Sequence, residues 1–281
     1  MNWPRITIVT PTYERVEYLE DCILSVLNQR YPNLEYIICD GGSKNPALLH
    51  LIRKYEDSLA WWDTKSDRGH AEAIRRGFDK STGTIMAWLC SDDMLLPGAL
   101  RAVAARFLQG EEIEFVYGNI RWINARGEKI ADFMGFPSSR IALFGILNAH
   151  QPGAFWRRSL YERAGKNVGG ENWENVIFEP NIELLYRFDR AHAKCTHEKT
   201  FVTACRLHEG AVSIAAWSKT REIGHATVVK YYPRQASSWW RSLCICGWRI
   251  RQATYLAYAN EWRYLIESMR RRMAGAKGVK M

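Results

Sequence analysis

The stretch Thr84-Ile-Met-Ala-Trp-Leu-Cys-Ser-Asp-Asp-Met-Leu-Leu-Pro97 places two adjacent carboxylates directly after an apolar run. Residues 85–90 are short, apolar and bounded by turn residues, which is typical of a central strand in a parallel sheet. Ligands of open α/β sheets bind beyond the carboxyl ends of the strands, where Asp92 and Asp93 would lie. Two hard oxygen ligands there predict Mn²⁺ or Mg²⁺ held against a diphosphate. One aspartate would suffice to cap the helix that opens at Pro97, so the second favours the metal.

Segments with strand and helix patterns alternate from residue 5 to residue 108. Strands are predicted at residues 5–10, 34–39, 60–62 and 85–90, and helices at 16–29, 46–57, 71–79 and 97–108. This alternation predicts an α/β fold with a doubly wound, mostly parallel sheet. No Gly-x-Gly-x-x-Gly follows the first strand and no P-loop motif occurs, which argues against both classes of nucleotide-binding domain.

Shorter elements follow. We expect strands at 114–118, 120–123, 129–131, 153–156 and 201–205, and helices at 138–148 and 182–191.

The basic charge is concentrated in the tail. From residue 216 onward the chain has 13 Lys or Arg against 3 Asp or Glu, although the whole chain of 281 residues carries only +9. Trp248, Tyr255, Trp262 and Met269 are spaced by seven, which predicts one helix with a shared face. Cationic helices with aromatic residues bind anionic membrane surfaces. The alternative is that this helix packs on the preceding domain with its arginines solvated. Nucleic acid is not an expected partner, because no nucleic-acid motif occurs.

The remaining composition favours a cytoplasmic protein, peripheral on the inner face of the membrane. The seven cysteines are odd in number and scattered, as in reducing compartments. The chain begins with a strand pattern and offers no run of about 18 uncharged apolar residues.

Several short motifs occur in a fixed order along the chain. They are Thr10-Pro-Thr-Tyr13, Asp40-Gly-Gly-Ser43, Asp67-Arg-Gly69, Ser91-Asp-Asp93, His150-Gln151 and Arg206-Leu-His208, with Arg187 and Ser213 as further landmarks. In this order they resemble the family 2 glycosyltransferases, inverting enzymes of the GT-A fold that use a nucleotide-diphosphate sugar. The resemblance covers about residues 5–215.

The resemblance implies three regions and a set of site residues. Residues 1–95 would bind the nucleotide sugar, 96–215 would bind a sugar or lipid-linked acceptor, and 216–281 would form the basic helical tail. The implied donor-binding residues are Thr10, Pro11, Tyr13, Asp40, Asp67, Arg68 and Asp92. His150 and Gln151 would line the acceptor pocket, and Asp93 and His208 would hold the metal. The activity implied is metal-dependent glycosyl transfer in the synthesis of cell-envelope polysaccharide or glycolipid.

The general base departs from the family pattern. The family carries Asp six residues before the helix Arg, and counting back from Arg187 gives Asn181, which cannot accept a proton at neutral pH. Glu179 could replace it from a loop redirected by Pro180. Glu183 could also serve if the helix begins further on, although we expect it to be a solvated carboxylate in the first turn of the helix, where the helix dipole favours a negative charge. The third alternative is an inactive GT-A domain that binds a nucleotide sugar or a partner.

Overall fold

A computed structural model describes residues 2–143, 145–166, 179–211 and 225–275, with the side chains of 179–181 and 269–275 outside the description. The strands are β1 (Ile6–Thr12), β2 (Leu34–Asp40), β3 (Trp61–Thr64), β4 (Ile85–Trp88), β5 (Met94–Leu95), β6 (Phe115–Ile123), β7 (Lys129–Phe133), β8 (Ala142–Leu143), β9 (Ile146–Leu147), β10 (Ala154–Arg157) and β11 (Cys195–Arg206). The helices before residue 211 are α1 (Leu19–Leu27), α2 (Pro46–Lys54), α3 (His70–Lys80), α4 (Ala99–Phe107), α5 (Arg158–Arg163) and α6 (Glu179–Arg190).

One large sheet organises the described chain, in the order β3-β2-β1-β4-β10-β6-β11-β5, with β7 paired to β6. The first four strands in this order are parallel, while β10 is antiparallel to both of its neighbours. The chain runs outward from β1 through β2 to β3 and then returns to the other side of β1 as β4. The predicted doubly wound sheet is confirmed, and its switch point lies between β1 and β4.

Helices cover both faces of this sheet, which explains why β1 and β4 are buried along their whole length. On one face Ile23 of α1, Ile52 of α2 and Val103 of α4 belong to one buried apolar cluster with Ile6 and Ile8 of β1. The opposite face carries α3, α5 and α6, whose buried residues include Phe78, Leu160 and Phe188.

The sequence predicts two strands within residues 114–123, but these residues form the single strand β6. Gly118 and Asn119 interrupt the apolar pattern for a packing reason. A Cβ on Gly118 would lie 2.6 Å from Val202 of β11, so the close approach of the two strands requires glycine. Asn119 is fully buried, donates a hydrogen bond to the Lys199 carbonyl at 2.6 Å and accepts one from the Gly135 N–H at 3.1 Å.

The helix predicted at 138–148 is also wrong, since the short hairpin β8–β9 occupies this segment. Gly145 has φ +77°, a conformation that breaks a helix, and Asn148 is fully buried. The Asn148 side chain donates to the Tyr117 hydroxyl at 2.9 Å. Tertiary hydrogen bonding therefore overrides the apolar periodicity.

The tail is confirmed as helical but is not one helix. A first tail helix (Ser238–Tyr258) and a second tail helix (Trp262–Gly275) are separated by a turn in which Asn260 has φ +61°. Trp262 and Met269 therefore belong to a different helix from Trp248, and the predicted common face is wrong. Within the described residues no helix has the length and apolar character to cross a membrane.

The buried histidine of β11 generates a prediction about stability. His197 lies with its Nε2 atom 2.9 Å from Asn119 Oδ1, and burial lowers its pKa to about 4. Unfolded histidine has a pKa of about 6.5, so the unfolded chain binds more protons between pH 6.5 and 4. We expect His197→Gln to be less stable than wild type at pH 7. The difference in the free energy of unfolding should shrink by up to about 3 kcal/mol at pH 4, because only the wild type loses stability as its unfolded histidine takes up a proton. Chemical denaturation at the two pH values measures this difference, and an unchanged difference would contradict the prediction.

Candidate functional site

The turn after β4 brings two carboxylates and a thiol together at the switch point of the sheet. Cys90, Asp92 and Asp93 each offer a ligand atom, and these atoms lie within 4.8 Å of one another. The Asp93 N–H donates to the Cys90 carbonyl at 3.0 Å, which closes the turn. Asp93 is 7% exposed, whereas the Asp92 side chain is 30% exposed. The pair therefore presents one open and one buried carboxylate.

The electrostatics of this cluster favour a hard cation. Burial and the adjacent Asp92 carboxylate raise the pKa of Asp93 well above its usual range. Burial likewise raises the pKa of the Cys90 thiol, so the sulfur stays protonated at neutral pH and is a poor metal ligand. Oxygen donors are those that Mg²⁺ and Mn²⁺ prefer. The residues present thus fit the predicted ion, which would offset the repulsion between the two carboxylates.

Arg206, the last residue of β11, holds the acidic pair through its backbone and its side chain. Its backbone N–H donates to Asp93 Oδ1 at 2.9 Å, and its side chain donates to the Asp92 carbonyl at 3.2 Å. The guanidinium also pairs with Asp21 at 3.0 Å and lies over the Tyr18 ring at 4.4 Å. With the side chain only 3% exposed, this arginine fixes the turn and supplies a positive charge beneath it.

Two histidines approach Asp92 from different elements. His208 Nε2 lies 3.1 Å from Asp92 Oδ2, and its ring packs on Tyr18 at 4.8 Å. His70 opens α3, where burial lowers its pKa to about 4 and the Asp92 charge partly opposes this. His208 thus lies beside the acidic pair, as its predicted metal role requires, and His70 is an additional neutral group there.

The predicted donor residues at the ends of β1 and β2 differ in accessibility. Thr10 is buried with its hydroxyl 3.1 Å from the Tyr36 hydroxyl, and Pro11 is a buried residue of β1. Tyr13 follows the strand and is 62% exposed. Asp40 is fully buried, where its carboxylate accepts hydrogen bonds from the Gly42 and Ser43 N–H groups and from two hydroxyls, those of Ser43 and Thr64. Asp40 therefore braces the loop beneath an exposed tyrosine.

Asp67 and Arg68 lie in the loop before α3 and have different partners. Asp67 accepts from the Gly69 N–H at 2.9 Å and from Arg76 at 3.3 Å, and burial raises its pKa. Arg76 also donates to Asp63 and to the Asp40 carbonyl. Arg68 is more than half exposed and pairs with Glu72 at 3.1 Å. Arg76 is consequently the charged residue that joins the loops after β2 and β3.

The predicted acceptor residues lie on the other side of the turn. The Gln151 side chain is buried and donates to the Trp88 carbonyl at the end of β4, at 2.9 Å. His150 is exposed and packs edge-on against Phe133 at 4.1 Å between ring centroids. This hydrogen bond fixes Gln151, and with it the adjacent His150, to the end of β4, four residues before Asp92.

The candidate bases lie at the start of α6. Glu179 is the first residue of this helix and not part of a preceding loop, and Asn181 follows in the first turn; their side chains lie outside the described residues, as does Ser213. The prediction that the Glu183 carboxylate is exposed to solvent is wrong. Its carboxylate is buried and accepts from Lys230 Nζ at 2.9 Å and from the Tyr231 hydroxyl at 2.8 Å. Glu183 anchors the helix at residues 225–231.

Residues 7–207 match the family described as Glycosyl transferase family 2, which spans more than half of the chain. The chain belongs to glycosyl transferase family 2. The resemblance of the ordered motifs is thereby confirmed.

Curated proteins similar to this chain include an O-antigen biosynthesis protein and a glucosyltransferase. The chain is 31% identical over 134 residues to the O-antigen biosynthesis protein RfbC of Myxococcus xanthus, covering 46% of this chain and 10% of that protein. It is 27% identical over 199 residues to the GalNAc(5)-diNAcBac-PP-undecaprenol beta-1,3-glucosyltransferase of Campylobacter jejuni, covering 66% and 63%. The chain thus spans less than two thirds of the length of either relative.

A solved structure supports the fold. The crystal structure of Staphylococcus aureus TarS 1–349 in complex with UDP-GlcNAc superposes with a TM-score of 0.60 at 14% identity, covering 80% of this chain and 66% of that one. Such low identity supports the GT-A-like fold alone.

Sequence reasoning missed several residues that build this site. In the sequence Arg206 is only a landmark, and nothing there indicates the bracing role of Arg76 or the positions of His70 and Tyr18. Arginines and aromatics on separate elements carry no local spacing signal, because their partners are distant in the chain; for Arg206, Asp93 and Asp21 are more than a hundred residues away.

The raised pKa of Asp93 generates a prediction. Asp93→Asn removes one negative charge and keeps an oxygen for the Arg206 N–H. In the presence of a chelator at pH 7, we expect the variant to unfold at a higher denaturant concentration than wild type. The reason is that folding raises the pKa of the Asp93 carboxyl, which lowers the free energy of unfolding at any pH above the unfolded pKa of about 4. A tenfold difference in proton affinity between the folded and unfolded carboxylate corresponds to about 1.4 kcal/mol.

The same variant should lose stabilisation by Mn²⁺, measured as a thermal shift. Asp57→Asn is the matched control, because Asp57 is exposed and precedes β3 at the opposite edge of the sheet. An Asp93→Asn protein that keeps the wild-type Mn²⁺ shift would contradict the assignment of the metal site.

Proposed function

We propose that this protein is an inverting glycosyltransferase that moves a sugar from a nucleotide-diphosphate sugar to an acceptor hydroxyl. The observation that carries the proposal is the Asp92–Asp93 turn at the switch point of the sheet, braced by Arg206 and flanked by His208. Family membership supports the same class of chemistry.

The donor would lie across the carboxyl ends of β1, β2 and β4. The exposed Tyr13 ring would contact the base, on a floor formed by Asp40, Asp67 and Gly41; a Cβ on Gly41 would lie 3.1 Å from that ring. Arg68 would approach the diphosphate. A Mn²⁺ or Mg²⁺ ion held by Asp93, with Asp92 and His208, would stabilise the negative charge that develops on the departing diphosphate.

The acceptor would bind beside His150 and Gln151. Glu179 would remove the proton from its hydroxyl, in place of the Asn181 that stands at the family's base position. The Campylobacter jejuni relative is named for an undecaprenol-linked acceptor, which supports a lipid-linked acceptor and a role in cell-envelope polysaccharide or glycolipid synthesis. The basic tail would hold the protein on the inner face of an anionic membrane.

Asn181 also favours a second candidate, an inactive domain that binds a nucleotide sugar or a partner. The two candidates share the donor site and differ in turnover.

A thermal-shift panel tests the donor site. Nucleoside diphosphates and their sugars are added with and without Mn²⁺, beginning with UDP and UDP-GlcNAc because TarS was solved with them. A ligand at 100 times its dissociation constant should add about 2.7 kcal/mol to the free energy of unfolding. We expect this shift to require both Mn²⁺ and Asp93, so that Asp93→Ala loses it and Asp57→Ala keeps it. No shift with any donor would contradict the proposed site.

Donor hydrolysis or transfer then tests the base. Glu179→Gln should lower the rate by about 100-fold or more, the usual contribution of a general base. Glu183→Gln is the matched control on the same helix, since its amide can still accept a hydrogen bond from Tyr231. Metal-dependent donor binding without turnover in the wild type would favour the inactive domain.

A further inference from the structure

The first tail helix has apolar residues on two opposite sides. Its inner side is buried and includes Trp248, whose ring packs against Phe136 at 5.5 Å. Gln252 on the same side donates to the Met134 carbonyl at 2.8 Å, and Leu256 is 1% exposed. The aromatic residues that the sequence offered for membrane contact are thus used, on this side, to pack against the domain.

The outer side carries a second apolar stripe, formed by Trp239, Leu243, Cys246 and Ile250. These residues are spaced by four, three and four, which puts them on one helix face opposite Trp248. Trp239 is 65% exposed, Leu243 58% and Ile250 62%, and Cys246 is also exposed. A continuous stripe of large exposed apolar side chains indicates a binding surface, whereas isolated ones do not.

The charge of this helix indicates which kind of partner binds the outer stripe. Between residues 238 and 258 the only charged residues are Arg241, Arg249 and Arg251, and all three are exposed. A second copy packed stripe to stripe would bring arginines against arginines, without a carboxylate on either helix to offset them. By helical spacing Arg249 and Arg251 flank the stripe, whereas Arg241 lies on the side of Trp248, and the Arg251 guanidinium lies 5.8 Å over the Phe136 ring. A bilayer with anionic head groups accepts both the apolar stripe and the exposed cations of this basic tail.

We propose that this outer stripe docks the protein on an anionic lipid bilayer. The first tail helix lies along the surface, with Trp239, Leu243 and Ile250 entering the head-group region while Trp248 and Leu256 hold the helix on the domain. Trp262 and Ile266, one turn apart and each about half exposed at the start of the second tail helix, extend the contact. The inference rests on the membrane attachment proposed above and names the face that makes it.

Vesicle co-sedimentation of the full chain tests the face directly. Vesicles of phosphatidylcholine with about 30% phosphatidylglycerol are compared with phosphatidylcholine alone. We expect Trp239→Ser, Leu243→Ser and Ile250→Ser together to weaken binding to the anionic vesicles at least tenfold. The matched control replaces Leu24, Leu108 and Ile130, which are exposed apolar residues of the preceding domain, with Ser and should bind as wild type. Circular dichroism and thermal unfolding of both triple variants check that each is folded.

A third variant tests the contribution of the positive charges and combines Arg241→Gln, Arg249→Gln and Arg251→Gln. We expect this variant to lose most of the preference for anionic over neutral vesicles and the wild type to lose it at high salt. Wild-type binding to anionic vesicles by the outer-stripe variant would overturn the proposal. A concentration-dependent dimer that the stripe variant abolishes, with no vesicle binding by the wild type, would overturn it as well and identify a second copy as the occupant.

The donor panel keeps this inference separate from the proposed chemistry. In solution the outer-stripe variant should show the wild-type shift with Mn²⁺ and nucleoside diphosphate, since none of its changes lies near Asp93. Failure of the donor site leaves vesicle binding intact, and failure of vesicle binding leaves the donor site intact.

Discussion

Two adjacent carboxylates, one of them buried, repel each other at the turn after β4, and Arg206 offsets part of that repulsion. The arginine acts twice, since its backbone N–H holds Asp93 and its guanidinium holds the Asp92 carbonyl while pairing with Asp21. It ends β11, which pairs in parallel with β6 and in antiparallel with β5 directly after the turn. The geometry of the acidic turn after β4 therefore depends on the last strand of the sheet, because Arg206 holds both aspartates only when β11 is in place.

The donor side depends on a similar arrangement at a smaller scale. Asp40 uses its carboxylate to hold its own loop and the end of β3, while Arg76 links Asp63, Asp67 and the Asp40 carbonyl. These partners come from β2, β3 and α3, so the loops are fixed relative to one another before any ligand is bound. Such preorganisation would lower the entropic cost of placing the proposed nucleotide sugar across the strand ends. Tyr13 then remains exposed above a rigid floor.

The tail shows how one helix can serve two surfaces. Trp248 and Leu256 bind it to the domain near Phe136, and Trp239, Leu243 and Ile250 leave an apolar stripe on the other side. A periodicity of seven singles out Trp248 and Tyr255, which share a face because seven residues make about two helical turns, and this face packs on the domain at Phe136 and His197. Heptad spacing identifies a common side of a helix but contains no information on what covers it.

The alternation of strands and helices, the acidic pair and the basic tail could all be predicted from the sequence, as could the parallel strands that end at or shortly before Tyr13, Asp40 and Asp92. Each of these follows from local periodicity or from composition, and family membership is readable from the order of the motifs. The packed fold was needed to reveal that Gly118 and Asn119 lie inside a strand, that β8 pairs with β9, and that Glu183 is buried beside Lys230. It also decided that Arg206 supports the acidic turn. The physical reason is the same in each case: a close strand approach, a buried hydrogen bond or an ion pair satisfies groups far apart in the chain, and such partners leave no trace in local spacing.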